Sequence, residues 1–417
     1  PGVQRPPPAR IAAPDELGAV ARFCQECFGP DAAPGYFLAR LPVDPALLPD
    51  GALVARTNGR LVAHVSVLGL ALRFGAAIVP CGGIANVCTA PAYRRRGASG
   101  ALLGRALALM RNAGFPLSAL STGIPGHYAR WGWVAWPRFE RRFFELLPPA
   151  PPPSNLPGAR PLDPVRDRAE LVRLHALAGA HTPGVLERTP AFWERHWDWT
   201  PRHPGERPEL ALAVEDPGTR RLLAYVRGAL DPARRWSAVL EFGAEPGAAG
   251  AVEALAQAFV SAARALGARA LTVPEAAGPL VEAVRPWARA ATRETDDTLM
   301  LNVLDLAGFL AALAPELAAR AAAARAGDGT VLVGFGDQRT VLRVAGGAVS
   351  TRPPVPGDEN LPGARLDPAR WIEVFMGTRL FSAQPFAAAS RLGERELNLL
   401  DALFPPRQEN FWDADSF

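Results

Sequence analysis

The stretch CTAPAYRRRGASGALLGRALALM, residues 88–110, joins an apolar strand to an apolar helix through three consecutive arginines and a glycine. A loop that enters a helix presents unpaired backbone N–H groups and the positive end of the helix dipole. Arg94, Arg95 and Arg96 add charged hydrogen-bond donors, and Gly97 lets a bulky anion approach the backbone. Because these donors are spread along the loop, the stretch predicts a site for a diphosphate rather than for a single carboxylate.

Two other phosphate-binding motifs do not fit this stretch. The Walker A loop needs a lysine, and the chain contains none. The dinucleotide fingerprint needs three glycines in a fixed frame, which RRRGASG does not supply. A solvated arginine surface without a ligand remains an alternative, since runs of like charge are commonly just exposed.

The composition is typical of a soluble globular protein of two or three domains. The 417 residues are 49% hydrophobic and 21% charged, and the net charge is only +4 although all 45 basic residues are arginine. This balance gives little reason to expect a nucleic-acid partner. No uninterrupted apolar run reaches the ~20 residues of a membrane span, and PGVQRPPPAR lacks the apolar core of a signal peptide. We therefore expect a cytoplasmic protein with no membrane partner.

The four cysteines include the pair CQEC, Cys24 and Cys27, whose spacing suits redox or zinc chemistry. A redox pair normally opens a helix after a strand, whereas this pair lies near the end of a predicted helix. A zinc site needs two further ligands at matching spacing, and Cys81 and Cys88 have no histidine near them. Small, partly buried side chains on one helix face are the favoured interpretation, with no metal site.

The periodicity divides the chain into three units. Residues 1–148 begin with a helix, continue with strands on either side of an Asn58-Gly59 turn, and include the arginine loop and its helix, which ends near Gly114. The proline-rich residues 149–161 are predicted to be a linker. Residues 162–303 repeat the order strand, strand, helix, strand, but EPGAAG replaces the arginine loop. An internal duplication explains this repeat, and chance similarity of α/β segments is the alternative.

Residues 304–417 are predicted to form an α+β unit with antiparallel strands, so the whole chain is of the α/β (α+β) class with mixed sheets flanked by helices. The unit ends with FWDADSF. Chain ends usually fray unless they are docked, so we expect Phe411, Trp412 and Phe417 to be anchored in a groove.

With the strand and loop defined, a family resemblance becomes specific. VCTAPAYRRRGASGALL resembles the acetyl-CoA-binding motif of the GNAT superfamily of N-acetyltransferases, an apolar strand followed by Pro-x-x-Arg and then Arg-x-x-Gly-x-Gly/Ala at a helix start. Pro91, Arg94 and Gly97 match this pattern, and Ser99 stands at its final small position. The resemblance implies a tandem GNAT-like fold and acetyl-CoA as co-substrate.

A second element, LSTGIPGHYARWGW, resembles the Tyr-x-x-x-Gly-aromatic segment of the same fold, with Tyr128, Gly132 and Trp133 in the matching positions. In that fold the tyrosine is the general acid that protonates the leaving thiolate. A packed aromatic residue whose hydroxyl bonds a carbonyl is the alternative role for Tyr128.

The order of units resembles the enhanced-intracellular-survival (Eis-like) acetyltransferases: a GNAT domain, a second GNAT-like domain without the pyrophosphate loop, and a unit like a sterol carrier protein. This resemblance implies a homo-oligomer, a hexamer in related proteins. It also implies that the α-carboxylate of Phe417 reaches the active site as general base. His127 is the alternative base, because its ordinary pKa suits proton transfer better than that of a carboxylate.

The resemblance also implies the coenzyme site. Val87 and Thr89 would pair with the pantetheine arm, and the loop amides with Arg94 and Arg95 would hold the pyrophosphate. The residues predicted to bind the coenzyme are Val87, Cys88, Thr89, Arg94, Arg95, Arg96, Gly97, Ala98, Ser99 and Gly100.

The acceptor is predicted to be a small-molecule or peptide amine, and its identity is open. Candidates for an acidic wall are Glu26, Asp413 and Asp415, while Ser416 stands where some relatives carry an acidic residue, which puts polycationic aminoglycosides in doubt. The aromatic run FWERHWDW, residues 192–199, is either part of the acceptor cleft or core. Two other functions remain open: a binding protein for a lipid or small apolar ligand, and a catalytically inactive scaffold that binds coenzyme A.

Overall fold

The computed structural model describes residues 8–136, 139–148, 158–180, 182–195, 197, 207–231, 233–296, 298–385, 391–407, 410, 412 and 415. In this part of the chain, mixed sheets flanked by helices confirm the predicted α/β fold class. The first elements are β1 (Ala9–Ile11), α1 (Leu17–Phe28), α2 (Tyr36–Arg40), β2 (Leu47–Thr57), β3 (Arg60–Phe74), β4 (Ala77–Thr89), α3 (Ala98–Asn112), β5 (Leu117–Ser121), α4 (Pro125–Ala129) and β6 (Val134–Ala135).

The second group of elements follows in the same alternation of strand and helix. It comprises β7 (Phe139–Leu146), β8 (Ala159–Pro161), α5 (Arg168–Gly179), β9 (Val185–Leu186), α6 (Pro190–Arg195), β10 (Arg207–Glu215), β11 (Leu222–Asp231), β12 (Trp236–Ala244), α7 (Ala249–Ala265), β13 (Ala270–Pro274), α8 (Gly278–Ala283), β14 (Ala288–Asp296) and β15 (Leu299–Val303). The last elements are α9 (Leu306–Ala323), β16 (Gly329–Phe335), β17 (Gln338–Ala345), β18 (Ala348–Arg352), β19 (Gly363–Leu366), α10 (Pro368–Phe375) and α11 (Glu394–Leu403).

The first sheet has the order β1-β2-β3-β4-β5-β15-β6, with β9 added beside β3. Its β2–β3 hairpin turns at Asn58 and Gly59, whose φ values of 49° and 78° are those of the two-residue turn that the sequence predicts. Helix α3 packs one apolar face, with Leu102, Ala106 and Met110 buried, against this sheet. Helices α1 and α2 contribute to a separate buried cluster that also contains Val54 of β2 and Cys88 of β4.

The second sheet has the order β14-β7-β13-β12-β11-β10-β8. In both sheets two antiparallel strand pairs precede a long helix, and the strand after that helix pairs in parallel with the strand before it. The structure thus repeats the arrangement that the sequence suggests for the two units.

Two strands lie in a different sheet from the one that the predicted boundaries imply. Strand β7 was expected in the unit 1–148, but it lies between β13 and β14 of the second sheet. Strand β15 was expected in the unit 162–303, but it pairs with β5 and β6 of the first sheet. The boundaries at 148 and 303 are therefore wrong for these strands, because the apolar pattern of a strand does not specify which edge it pairs with.

The predicted linker, residues 149–161, is only partly within the described residues. Residues 149–157 lie outside them. Ala159–Pro161 form β8, which pairs antiparallel with β10. The last residues of the predicted linker thus belong to the second sheet.

The third unit has a four-stranded sheet, β18-β17-β16-β19, in which β16 and β19 are parallel and the other pairs antiparallel. Its interior is filled by aromatic rings: Phe375 stacks on Trp371 at 5.1 Å between centroids and contacts Phe309 and Phe404. Phe309 also contacts Phe74 of β3, so this unit shares a core with the first sheet.

Helix α9 is, among the described residues, the one helix whose length and composition would allow it to span a membrane. Core helices commonly meet the same criterion. Its Phe309, Leu310, Leu313 and Leu317 are buried in the core shared with the first sheet.

Candidate functional site

Strand β4 leaves its parallel neighbour just before the arginine loop. Its pairing with β5 ends at Ile84 and Leu120, although both strands continue. Beyond that point β4 contains a bulge, since the register with β3 shifts between Ala85 and Cys88, and Asn86 adopts a φ of 54°. A bulge bends the strand, which here opens a gap between β4 and β5.

The gap exposes one side of the β4 backbone. Ala90 donates its amide to the Val62 carbonyl of β3 at 2.9 Å, so the alternating amides of Thr89 and Val87 point to the other side. There β5 no longer pairs with β4. The predicted place for the pantetheine arm is thus a strand edge, although the Thr89 carbonyl accepts a hydrogen bond from Arg94 Nε at 3.2 Å.

The loop after β4 turns into α3 through two residues in the left-handed region. Arg95 has a φ of 60°, and Gly97, at the helix N-cap, has a φ of 80°. Within the described chain no side chain caps the helix, and its first backbone bond joins the Ala101 amide to the Gly97 carbonyl. The amides of Ala98, Ser99 and Gly100 therefore lack partners within the helix, as an anion site of the kind that the sequence predicts requires.

A cavity of about 1610 Å³ lies against this loop, the gap and helices α1 and α2. Of the predicted coenzyme residues, Arg96 is the one that does not line it; its guanidinium lies over the Tyr93 ring, 5.5 Å from the centroid. The others line the cavity: Val87, Cys88, Thr89, Arg94, Arg95, Gly97, Ala98, Ser99 and Gly100.

Tyr128, on the short helix α4, lines the same cavity. Its ring is buried, 6% exposed, and packs edge-on against Trp133 and His127. Burial raises the pKa of Tyr128 to about 12, while a hydrogen bond with Thr122 acts in the opposite direction. The phenol is thus protonated across the neutral range, as a proton donor must be.

His127 is positioned by two polar neighbours. Arg130 Nη2 lies 3.0 Å from its Nδ1, and Ser99 Oγ lies 3.4 Å from its Nε2. A guanidinium can only donate, so Nδ1 accepts and the ring proton is on Nε2. Burial and the charge of Arg130 lower the pKa of His127. With its acceptor nitrogen bonded to Arg130, His127 is poorly placed as the alternative base.

Trp131 was not singled out from the sequence, although it lines the cavity beside the helix start. A Cβ at Gly100 would lie 3.2 Å from its ring, and one at Gly104 would lie 3.4 Å from it. Two glycines four residues apart on α3 therefore leave room for the indole. Their spacing in the sequence is the signal that could have indicated a close aromatic neighbour.

The cysteine pair belongs to a group of thiols beside β4. Cys88 Sγ and Cys24 Sγ are 3.8 Å apart, and all four cysteines are free. A hydrogen bond with Cys88 and burial raise the pKa of the Cys27 thiol. In the described chain, no three His, Cys, Asp or Glu residues come together as a possible metal site.

The candidate acidic residues are not brought together at the cavity. Glu26 is exposed and is not among the residues that line it. Asp415 is buried, and its Oδ1 accepts a hydrogen bond from Arg188 Nε at 2.7 Å. Asp413 and Phe417, the predicted base, lie outside the described residues.

The end of the chain packs on the second unit. Trp412 is buried in its core, while Phe411 lies outside the described residues. Arg188 also bonds Glu241 of β12 at 2.9 Å and lies over the Trp193 ring, 4.5 Å from the centroid. In the FWERHWDW run, Trp193 is thus part of a buried cluster rather than of the cavity wall.

These features match known proteins. Residues 8–135 match the family model described as the acetyltransferase (GNAT) domain. N-acetyltransferase Eis of Mycobacterium tuberculosis and of Mycobacterium bovis is 28% identical over 182 residues, which are 40% of this chain and 44% of each relative. The chain thus spans less than half the length of the curated relatives it matches.

Solved structures share the fold over nearly the whole chain. A GCN5-related N-acetyltransferase from Anabaena variabilis matches with a TM-score of 0.71 and 17% identity, over 98% of this chain and 100% of that one. A GCN5-related N-acetyltransferase from Kribbella flavida matches with a TM-score of 0.67 and 20% identity, over 98% of each chain. Eis1 from Mycobacterium abscessus matches with a TM-score of 0.65 and 19% identity, over 98% of this chain and 100% of that one. At these identities the likeness shows the fold. With the domain match, it supports an acyltransferase, the class of enzyme that the sequence predicts.

Proposed function

We propose that this protein is an Eis-like, acetyl-CoA-dependent N-acetyltransferase that transfers the acetyl group to a primary amine by direct attack in a ternary complex. The observation that carries the proposal is that one cavity contains the unpaired amides at the start of α3, the open edge of β4 and the buried phenol of Tyr128. These are a site for a diphosphate, a strand edge for an amide-bearing arm, and a proton donor.

We propose one task for each group. The amides from Arg95 to Gly100, with Arg94 and Arg95, hold the pyrophosphate of the coenzyme. Val87 and Thr89 pair with the pantetheine arm. The neutral amine attacks the thioester carbonyl, and the tetrahedral intermediate collapses with loss of the thiolate. Tyr128 supplies the proton that the sulfur takes.

The incoming ammonium must first lose a proton. We propose the α-carboxylate of Phe417 as base, acting through water or on a partly desolvated amine because a terminal carboxylate is a weak base. The hydrogen bond from Arg130 to His127 favours this choice over the imidazole.

The proposal also includes a homo-oligomer, a hexamer as in related proteins, a cytoplasmic location, and a sterol-carrier-like third unit.

Two arginine variants test the coenzyme site. Arg95→Ala removes a donor from the cavity wall, so the KM for acetyl-CoA should rise about tenfold. Arg96→Ala is the matched control, since the Arg96 side chain packs on Tyr93 and does not line the cavity. The KM of this variant for acetyl-CoA should stay near that of the wild type. Coenzyme A binding by calorimetry and release of free thiol with a panel of amines give the two readouts.

Three outcomes separate the candidate functions. Binding together with turnover supports the acetyltransferase. Binding without turnover of any amine supports the inactive scaffold. Absence of coenzyme A binding would rule out both and would leave the arginine loop as a solvated surface.

A further inference from the structure

The bulge in β4 brings an asparagine to the cavity wall. The register between β3 and β4 shifts so that Asn86 and Val87 together oppose Val65 of β3. Bulges redirect a side chain, and Asn86 adopts a φ of 54°, a left-handed conformation that asparagine tolerates better than most residues. Asn86 is half-buried and lines the cavity. An amide side chain thus lies in the wall of the proposed coenzyme site.

The Asn86 amide is joined to a chain of hydrogen bonds inside the first sheet. The buried His64 has its Nδ1 3.0 Å from the Leu53 carbonyl oxygen and its Nε2 2.9 Å from Ser66 Oγ. Asn86 Nδ2 lies 3.1 Å from the same Ser66 oxygen. Burial lowers the pKa of His64 to about 4, so the ring is neutral at physiological pH and carries one proton.

The direction of each bond in this chain follows from the bond before it. A carbonyl oxygen only accepts, so the His64 proton is on Nδ1, and Nε2 accepts from the Ser66 hydroxyl. The hydroxyl has one proton, so its oxygen can only accept from Asn86, which must offer Nδ2. The other end of the amide, Oδ1, has no hydrogen-bond donor within the described residues. Asn86 is therefore held with a free acceptor oxygen.

Asn86 lies near the closed end of the gap between β4 and β5. Ile84 and Leu120 are the last pair of the two strands, and Asn86 follows Ile84 by two residues. On the other side of the gap, Thr122 follows Leu120 by two residues and forms the hydrogen bond with Tyr128. The free oxygen and the proposed proton donor thus belong to the two sides of one gap.

The reacting end of the coenzyme is expected at the same place. If Thr89 and Val87 pair with the pantetheine arm, as proposed, Asn86 is the next residue of β4 in the direction away from the phosphates. A thioester has a carbonyl oxygen and a sulfur but no N–H or O–H group, so it offers Asn86 no donor. The N–H groups of the arm are used by the β4 edge in this arrangement. The remaining donor is the second reactant, an amine.

We propose that Asn86 Oδ1 accepts a hydrogen bond from the acceptor amine and so aims the nitrogen lone pair at the thioester carbonyl carbon; this inference rests on the proposed acetyltransferase function. Ser66 and His64 are positioning residues, because they keep the amide nitrogen of Asn86 directed away from the reactants. Tyr128 and the α-carboxylate of Phe417 keep their proposed tasks, since Asn86 neither gains nor loses a proton.

The hydrogen bond suits the chemistry of a primary amine. Once neutral, such an amine has two N–H groups and one lone pair. In the reaction the nitrogen–carbon bond forms and the carbon–sulfur bond breaks, while the nitrogen gives up one proton and the sulfur takes one. The N–H that bonds Asn86 is the one that stays on the nitrogen. The products are an N-substituted acetamide and coenzyme A.

Asn86→Gly tests the free oxygen, because it removes the amide while a φ of 54° suits glycine. Its kcat/KM for the amine should fall about tenfold, as expected for loss of one hydrogen bond, and its Kd for coenzyme A should not change. The amine is whichever of phenethylamine, putrescine, spermidine and kanamycin the wild-type full chain acetylates with the highest kcat/KM at saturating acetyl-CoA. Coenzyme A binding is measured by calorimetry.

Asn58→Gly is the matched control. Asn58 is also a left-handed asparagine, with a φ of 49°, but it lies in the β2–β3 turn and does not line the cavity. This variant should keep both the kcat/KM for the amine and the Kd for coenzyme A of the wild type.

Ser66 variants test the positioning of the amide. Ser66→Ala leaves the Asn86 oxygen in place but removes its anchor, so the kcat/KM for the amine should fall about threefold to tenfold. Ser66→Thr keeps the hydroxyl and should restore most of this loss. An equal loss in both variants would show that the hydroxyl does not orient the amide, and would overturn the roles of Ser66 and His64.

The outcomes separate this inference from the proposed function. Wild-type kcat/KM in Asn86→Gly would overturn the inference and leave the acetyltransferase intact. A loss of coenzyme A affinity equal to the loss of kcat/KM would do the same, because Asn86 would then hold the arm of the coenzyme. Release of no thiol by the wild type with any of the four amines would overturn the proposed function and this inference together.

Discussion

Tyr128 shows how burial alone can prepare a residue for one task. Its ring packs against Trp133 and His127, and the raised pKa of about 12 keeps the proton on the oxygen in the neutral and mildly alkaline range. The same burial makes the phenolate unfavourable, so the group is present as a protonated phenol and not as a base. The sequence could indicate the tyrosine, but its protonation state depends on its surroundings in the fold.

Tyr128→Phe should lower kcat about 100-fold or more while leaving the KM for acetyl-CoA unchanged, because the hydroxyl is needed only when the thiolate leaves. The wild-type kcat should not fall between pH 8 and about pH 10, since the pKa of Tyr128 is about 12. Steady-state kinetics with a saturating amine measure the kcat and KM of the variant and the pH dependence of the wild-type kcat. Tyr93→Phe, which keeps the ring beneath Arg96, is the control and should behave as wild type.

Asp415 is a buried carboxyl whose pKa is raised to about 6, chiefly by burial and against the influence of Arg188. A carboxyl with a raised pKa in the folded state binds its proton more tightly there than in the unfolded chain. Its contribution to stability is therefore fully present below about pH 4 and is lost as the pH rises to about 6.

Asp415→Asn stays uncharged throughout this range. The stability of the wild type minus that of Asp415→Asn should therefore decrease as the pH rises from 4 to 6 and level off above it. Urea denaturation of both proteins at several pH values gives this difference. A difference that instead increases with pH would mean that Arg188 dominates the ionisation of Asp415.

At the scale of single elements, the start of α3 combines a left-handed N-cap with unpartnered amides. Gly97 and Gly114 have φ values of 80° and 78° at the two ends of this helix, and each would need an L-residue to adopt a conformation that costs about 1–2 kcal/mol. Only Gly97 lines the cavity. Substitutions at the two positions therefore distinguish the effect of backbone strain on stability from an effect on coenzyme binding.

Gly97→Ala and Gly114→Ala should both lower the free energy of unfolding by about 1–2 kcal/mol. Only Gly97→Ala should also weaken coenzyme A binding, by about tenfold, because Gly97 lines the cavity at the proposed pyrophosphate site. Denaturant unfolding and calorimetry test the pair. Equal losses of affinity in both variants would assign the effect to helix stability rather than to contact with the coenzyme.

The extent of what the sequence predicts depends on how far apart the interacting residues are in the chain. The strand, loop and helix of the proposed coenzyme site are contiguous, so the spacing of residues 87–100 was sufficient to predict positions of which nine out of ten line one cavity. The aromatic residues Phe28, Tyr36 and Phe37 of α1 and α2 line the same cavity, and no local pattern ties them to Tyr128. Arg188 and Asp415 are 227 residues apart, and their pairing depends on the whole fold.

At the scale of the whole molecule, the exchanged strands β7 and β15 bind the first two units together. β15 is buried along its length between β5 and β6, and β7 lies between β13 and β14. Each sheet is thus complete only when the other segment is present. The strand exchange also explains why boundaries drawn from the order of patterns place these two strands in the wrong sheet.

A fragment of residues 8–136 should therefore not fold, although it spans the whole matched GNAT domain. It lacks β15, so β5 would keep an open apolar edge, which favours aggregation. Circular dichroism and coenzyme A binding of the fragment, with and without separately added residues 298–417, provide the measurement. A fragment that binds coenzyme A as tightly as the full chain would contradict the dependence on β15.

The exchange of strands also sets an order of events during synthesis on the ribosome. Ser121 at the end of β5 and Thr298 beside β15 are separated by 177 residues, so translation at typical speeds leaves β5 without its neighbour for about 10 to 35 seconds. In that interval the nascent chain contains all the residues of the proposed coenzyme site, while one edge of β5 is unpaired. Cells that make this protein must shield that edge, and its yield should depend on chaperone capacity and on the pace of elongation.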